Sequence, residues 1–217
     1  MIEPAGTQLW ADVRWREGWR VQRRFDGNAA RLLAPTGRVA LRGPESECER
    51  ELEQRAPAPS AADHLVVLLH GLGRTRRSLA RMDLALRHAG FTTARLDYPS
   101  TRLPIERHAA GVAELLDNVP TPAAISFVTH SLGGRLVRRL LEREGAWRAR
   151  MELGRVVQIA PPNRGSAFAA SLQPVPFLAC LLGPSFLEVA EAETCAPPTG
   201  CEFGVIAGVG PTSFGWN

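Results

Sequence analysis

One serine of this sequence lies where a nucleophile would be expected. Ser131 follows the apolar run Ile125 to Thr129 and precedes a helix-forming run that starts at Leu132. A serine on a sharp strand-to-helix turn is held out at the carboxyl edge of a sheet, where its hydroxyl is open to a substrate carbonyl. The turn is crowded, and Gly133 and Gly134 supply the small residues that it needs. The segment therefore predicts acyl-transfer chemistry at Ser131, against the simpler interpretation of a serine in an ordinary turn.

A glycine-rich loop occurs earlier in the chain. The apolar strand that starts at Leu65 ends in His70-Gly71-Leu72-Gly73. If this strand lies beside the strand of Ser131, the backbone N–H groups of Leu72 and Leu132 point to the place where negative charge develops during acyl transfer. Each such donor lowers the barrier by about 3 kcal/mol. These two N–H groups are the predicted oxyanion hole.

The residues that should activate Ser131 are missing. A serine hydroxyl is a weak nucleophile unless a neighbouring base takes its proton. No His and no Asp follows Ser131, and all five histidines precede it: His64, His70, His88, His108 and His130. We expect the turn to direct His130 away from the hydroxyl and His70 to have a structural task in its loop. His88 and His108 are expected on the surface of helices.

The elements around these residues follow a recognisable order. From residue 65 onward, short apolar strands alternate with amphipathic helices, which is typical of a parallel sheet with helices on both faces. Strands are predicted at 65–69, 91–96, 124–129, 156–160 and 203–207, and helices at 75–88, from Leu103-Pro104 onward, and at 132–145. Residues 9–42 alternate polar and apolar pieces between turn signals, which predicts a small antiparallel meander. A helix is predicted at 45–55, before a Pro-rich linker.

Three segments together resemble bacterial lipases and esterases of the α/β-hydrolase superfamily. They are His70-Gly71-Leu72-Gly73, Thr129-His130-Ser131-Leu132-Gly133-Gly134 and Ala160-Pro161-Pro162-Asn163-Arg164-Gly165-Ser166. The resemblance covers roughly residues 65–210 and implies an α/β-hydrolase fold. We expect residues 1–60, the meander and linker, to belong to the same domain as the core at 61–217. It implies that an ester acylates Ser131 and water releases the acyl group. Thr129 departs from the family, which usually has Gly or Ala there.

The family places an Asp or Glu and then a His after the serine, so two explanations of their absence stay open. Either the chain lacks its C-terminal part, which the loop-like stretch 208–217 favours, or it is a hydrolase-like protein without catalytic competence. The expected function is hydrolysis of a lipid-like or acyl ester. Acyl transfer by the same serine and a non-catalytic binding module are the alternatives.

A lid or cap is expected at about residues 163–201. This segment carries many apolar residues, namely Phe168, Leu172, Val175, Phe177, Leu178, Leu181, Leu182, Phe186, Leu187 and Val189. They could line a pocket for an acyl chain or simply cover the core.

The composition bears on which partners and cofactors the protein could bind. All 26 basic residues are arginines and they are scattered, so the net charge of +4 is weak support for a nucleic-acid partner, and we expect none. The four cysteines lack the spacing of a zinc site, and we expect neither a metal nor a cofactor. Cys195 and Cys201 could form a disulfide or stay free thiols.

Neither a membrane span nor a secretory signal is expected. The stretch 172–190 contains three prolines, and the start of the chain has no apolar run, so we expect no membrane insertion and a cytoplasmic location. The sequence does not indicate an oligomeric state.

Overall fold

The computed structural model describes residues 6–57, 64–120, 122–172, 182–192 and 196–207. Its centre is a five-stranded parallel sheet in the order β6-β5-β7-β8-β9. The strands are β5 (His64–Leu69), β6 (Thr92–Leu96), β7 (Ala124–His130), β8 (Glu152–Ile159) and β9 (Glu202–Ile206). The predicted parallel sheet is therefore confirmed, although β8 begins four residues before the predicted Val156.

Helices cover both faces of this sheet, as predicted. On one face, Leu79, Met82 and Leu86 pack against Val66 and Leu68 of β5, and they belong to a 3-10 turn (Arg76–Leu79) and helix α2 (Ala80–His88). The other face holds the larger core. Its helices are α3 (Ile105–Asp117), α4 (Leu132–Glu142) and α5 (Ala146–Arg150).

Two helix predictions need correction. The predicted helix 75–88 starts as a 3-10 turn, in which the Thr75 side chain accepts a hydrogen bond from the N–H of Arg77. The predicted helix 132–145 ends at Glu142, because Arg143 adopts an extended conformation. A separate short helix, α5, follows Gly145 and buries Trp147 in the main core.

The N-terminal residues form the predicted antiparallel meander in the order β1-β2-β3-β4. Its elements are a 3-10 turn (Gly6–Leu9), β1 (Trp10–Arg16), β2 (Trp19–Arg24), β3 (Ala30–Leu33), β4 (Val39–Gly43) and helix α1 (Glu45–Arg55). Val13, Val21 and Leu32 pack against Cys48 and Leu52 of α1, which gives the meander a small core of its own.

A buried polar junction joins the meander to the parallel sheet. The N–H of Asp12 donates to the Asp97 carbonyl at 2.9 Å, and the N–H of Asp97 donates to an Asp12 carboxylate oxygen at 2.8 Å. Arg20 pairs with Asp12 at 2.7 Å and Arg76 with Asp97 at 2.5 Å. Burial opposes ionisation of Asp97, yet the Arg76 guanidinium and backbone N–H together lower the pKa of this carboxyl. The meander and the sheet are thus fixed to each other at the carboxyl end of β6.

The described residues of the predicted cap segment contain the helices α6 (Ala167–Leu172) and α7 (Pro184–Ala190). The C-terminal end of α7 is held by Arg135, whose guanidinium donates to the carbonyls of Glu188, Glu191 and Ala192. The Glu188 carboxylate accepts from the N–H of Ile105 at 3.0 Å, so α7 also caps the start of α3. Residues 173–181 of the cap segment lie outside the described part of the chain.

The structure also places two of the histidines and Cys201. His108 is buried on the inner face of α3 at 3% exposure, so the prediction that it lies on the surface is wrong, whereas His88 is exposed. Cys201 is a free thiol, and its possible partner Cys195 lies outside the described residues. Among the helices that the structure describes, none has the length and apolar character needed to cross a bilayer.

Candidate active site

Ser131 stands on a strained turn between β7 and α4. Its backbone has φ 52° and ψ −119°, a conformation that side-chain-bearing residues rarely adopt. The turn is fixed from the neighbouring strand, because the N–H of Ser131 donates to the carbonyl of Ile159 at 2.9 Å. Such strain persists only where the surrounding structure enforces it, and it occurs mostly at functional sites. The side chain is half-buried and lines a cavity.

The glycines after Ser131 allow α4 to approach the sheet. A Cβ atom on Gly133 would lie 2.6 Å from the Leu69 carbonyl oxygen and 3.0 Å from that of His70. A Cβ atom on Gly134 would lie 3.0 Å from Pro161 Cβ, beyond the end of β8. Both glycines are therefore needed where the helix start meets the ends of neighbouring strands.

The glycine-rich loop lies beside Ser131, as the sequence predicted. Strands β5 and β7 are adjacent and parallel, with Leu69 paired to Thr129. A Cβ atom on Gly71 would lie 3.2 Å from Ser131 Cβ and 3.0 Å from His130 Nδ1. In the described residues, the backbone N–H groups of Leu72 and Leu132 donate no hydrogen bond. One free N–H group thus belongs to the loop that contacts Ser131, and the other to the residue that follows Ser131.

His70 and His108 are both buried and both contact the ring of Tyr98. The rings of His70 and Tyr98 are parallel with centroids 4.1 Å apart, and the rings of Tyr98 and His108 are 5.1 Å apart. The Tyr98 hydroxyl donates to the His70 carbonyl, which holds the start of the glycine-rich loop. Burial lowers the pKa of His70, and burial followed by the nearby His70 lowers the pKa of His108 to about 4. Both imidazoles are therefore neutral at physiological pH, inside the core rather than at Ser131.

The remaining histidines do not supply the missing base either. Burial, then the positive charge of Arg74, lowers the pKa of His130. No hydrogen bond joins His130 to Ser131 in the described part of the chain. His64 Nε2 lies 2.8 Å from Ser126 Oγ, at the opposite end of β5. His88 is exposed on α2, the helix on the other face of the sheet.

Gln8 holds the glycine-rich loop from outside, which the sequence did not reveal. Its Nε2 donates to the Arg74 carbonyl at 2.6 Å, and its Oε1 accepts from the Ser100 hydroxyl at 2.9 Å. Ser100 Oγ in turn accepts from the N–H of Gly73 at 3.0 Å. No sequence motif identifies such a residue, because the contacts join positions 92 residues apart.

The cavity at Ser131 has a volume of about 270 Å³. The loop residues Gly71 and Leu72 form one side, and Ala169, Leu182, Phe186 and Val189 of the cap segment form the other. Phe186 and Val189 also belong to the main hydrophobic core. The sequence left open whether the cap residues pack on the core or line a pocket, and Phe186 and Val189 do both. Val175, Phe177, Leu178 and Leu181 lie outside the described residues.

Metal ligands do not converge at this site or elsewhere in the described ranges. Within them, no group of three His, Cys, Asp or Glu side chains is placed to hold a metal ion.

Comparison with known proteins agrees with the fold. The sequence matches the alpha/beta hydrolase family over residues 66–204, which contain the five parallel strands almost entirely, and the chain belongs to this family. No curated protein matched in a sequence search.

Solved structures also resemble this chain. A metagenomic carboxyl esterase is 20% identical to this chain, with a TM-score of 0.49. The match covers 63% of this chain and 48% of the esterase chain. The lipase BlEst2 of Bacillus licheniformis is 22% identical to this chain, with a TM-score of 0.46. The match covers 62% of this chain and 57% of the lipase chain. The phospholipase PlaB of Legionella pneumophila is 18% identical to this chain, with a TM-score of 0.47. The match covers 67% of this chain and 39% of the phospholipase chain. This chain thus spans between 39% and 57% of the length of those chains.

Proposed function

We propose that Ser131 is the nucleophile of a carboxylester hydrolase that acts on an acyl or lipid-like ester. The observation that carries the proposal is the strained backbone of Ser131 at the end of β7, which places its side chain in a cavity between two glycine-flanked loops. A retained unfavourable conformation at a cavity-lining serine is hard to explain by folding alone, since a glycine there would be less strained.

In the proposed reaction, Ser131 Oγ attacks the ester carbonyl carbon and a base takes the hydroxyl proton. The carbonyl oxygen gains negative charge, and the N–H groups of Leu72 and Leu132 donate hydrogen bonds to it. Each is expected to contribute about 3 kcal/mol to the stabilisation of the transition state. The alcohol then leaves with a proton, and water cleaves the acyl-enzyme to release the carboxylic acid and restore Ser131.

The base of this reaction is not among the residues that the structure describes. The family arrangement supplies it as a histidine held by an acid, both after the serine in the chain. This sequence has no His and no Asp after Ser131. The proposal is therefore that the chain provides the nucleophile, the oxyanion donors and the acyl pocket, while deprotonation of Ser131 needs a base from elsewhere.

The cavity supports a preference for acyl chains longer than acetate. Its cap side is apolar and its volume of about 270 Å³ is near the lower end for small-molecule sites. A small-molecule ester is thus the proposed partner, and the cytoplasmic location stays a prediction.

Added imidazole tests the proposal by replacing the missing base. The chain is incubated with an alkyl fluorophosphonate, with and without imidazole, and the phosphonylated peptide is identified by mass spectrometry. Ser131 Oγ forms the new bond to phosphorus and fluoride leaves. We expect labelling of Ser131 that imidazole accelerates at least tenfold, and none in Ser131→Ala.

A matched control is Ser78→Ala, which removes an exposed serine outside the cavity and should label like the original chain. If the folded chain stays unlabelled at Ser131 with imidazole present, the nucleophile assignment is wrong and a non-catalytic binding module becomes the better interpretation. If acyl-Ser131 forms from an ester but goes to an added alcohol or thiol faster than to water, the chain is an acyltransferase.

A further inference from the structure

A second cavity lies apart from Ser131 and has a mostly charged lining. It is a groove of about 650 Å³ that shares no lining residue with the cavity at Ser131. Its floor is β6, one wall is the 3-10 turn with α2, and the other wall consists of two turns of the meander. We call it the arginine groove, and its charged lining residues are Glu17, Arg20, Arg76, Arg77, Asp83, Arg87 and Arg95.

Positive charge exceeds negative charge on this lining. Five arginines face two carboxylates, Glu17 and Asp83. Asp83 forms ion pairs with two guanidinium groups, those of Arg87 and Arg95, each at 3.1 Å. Arg20 and Arg76 have the buried partners Asp12 and Asp97 described above. Arg77 forms no ion pair with any residue in the described part of the chain.

The guanidiniums are close enough to repel one another. Burial, partly offset by Asp83, lowers the pKa of Arg95, and the charges of Arg76, Arg20 and Arg87 lower it further. The side chain of Arg95 is only 27% exposed, so water screens this repulsion incompletely. Crowded like charges of this kind are relieved when an anion binds between them.

The groove also has the shape and hydrogen-bonding groups for a small ligand. Arg76 Nη2 lies against the turn of the meander, where a Cβ atom on Gly37 would be 3.5 Å away. The hydroxyl-bearing residues Thr36 and Thr92 add to the lining, whereas the buried Thr93 hydroxyl is bonded to Asp83 and Arg87. Guanidinium groups bind phosphate through paired N–H donors, and cavities of this size hold small molecules.

From these observations we propose that the arginine groove is a binding site for a phosphate-bearing small molecule, held between the meander and α2. The site is separate from Ser131 and does not depend on the proposed ester chemistry. The shared ligand chemistry is a phosphoryl group with at least two negative charges, either free phosphate or the phosphate of a larger molecule.

Titration calorimetry on the full chain tests this site. Pyrophosphate, orthophosphate and adenosine triphosphate are the probes, each at the same ionic strength set with sodium chloride. We expect saturable binding of one pyrophosphate per chain. Comparable binding of orthophosphate identifies free phosphate as the ligand type, and tighter binding of adenosine triphosphate identifies a phosphate ester.

Variants locate the binding. Arg77→Gln removes the arginine without an ion pair and should weaken pyrophosphate binding at least fivefold, and Arg77→Gln combined with Arg87→Gln at least twentyfold. Arg81→Gln is the matched control, because Arg81 is exposed on α2, four residues after Arg77, but does not line the groove. Ser131→Ala should bind like the original chain. Absence of saturable binding to the folded chain, or equal binding by the Arg77 and Arg81 variants, would overturn the proposal.

Discussion

The contact between α4 and the end of β5 gives a sharp test of the geometry around Ser131. In Gly133→Ala, the new methyl carbon would lie 2.6 Å from the Leu69 carbonyl oxygen, whereas ordinary contact begins at 3.4 Å. The overlap of about 0.8 Å involves backbone on both sides, so relief requires a shift of the helix start. Overpacking of this kind costs about 1–3 kcal/mol.

The expected loss in the free energy of unfolding is about 2 kcal/mol, since the helix propensity of alanine offsets a part of the overlap. Gly111→Ala is the matched control. Gly111 lies inside α3, and its new methyl group would meet nothing within 4 Å. There the same substitution should stabilise the protein by up to about 1 kcal/mol.

Urea denaturation measures both changes. For a urea dependence of about 2 kcal/mol per molar, a loss of 2 kcal/mol lowers the midpoint by about 1 M. The two variants should therefore differ by roughly 3 kcal/mol, with Gly133→Ala the less stable. Phosphonylation of Ser131 should also fall, because a displaced helix start moves the Leu132 N–H. Equal stability of the two variants would refute the close approach of α4 to β5, and with it the described turn.

Three further predictions concern Arg135, His108 and the backbone of Ser131. In Arg135→Met, the carbonyls at the end of α7 lose their donor, so hydrogen exchange in residues 184–192 should rise at least tenfold while β5 and β7 stay protected; unchanged exchange would show that Arg135 does not hold α7. The lowered pKa of His108 means that the unfolded chain binds its proton first, so stability should fall as the pH drops from 6.5 towards 4, by up to about 3 kcal/mol. Urea denaturation of His108→Phe at several pH values should show a shallower fall, and an equal slope would contradict the burial argument. Ser131→Gly should be about 1 kcal/mol more stable than Ser131→Ala in the same assay, because glycine relieves the positive φ; a less stable glycine variant would refute the strain.

Much of the sheet could be predicted from residue types. Continuous apolar runs identify β5 and β7 as buried on both faces, and short connections with helical periodicity require the strands to be parallel. The predicted surface position of His108 is wrong, although the sequence holds a signal for its burial. Ile105, His108 and Val112 follow the helical period of the buried face.

Helix ends were harder to predict. The run from Leu132 stays helix-forming beyond Glu142, and only the turn that brings Trp147 into the core explains why α4 stops there. Asp117 accepts from the N–H of Trp147 at 2.7 Å, a contact 30 residues apart that no local pattern announces.

The sequence by itself indicated the candidate nucleophile Ser131 and the two glycine-rich loops, because small residues and apolar periods are local signals. The structure was needed to show that β5 and β7 are neighbours, which brings the two loops together. Tertiary structure alone decided that Gln8 braces the loop after Gly71, that Arg135 and Glu188 fix the cap helix, and that arginines from the meander, β6 and α2 share one groove. These features arise where segments distant in the chain meet, and their energies come from desolvated charges and hydrogen bonds whose partners exist only after folding.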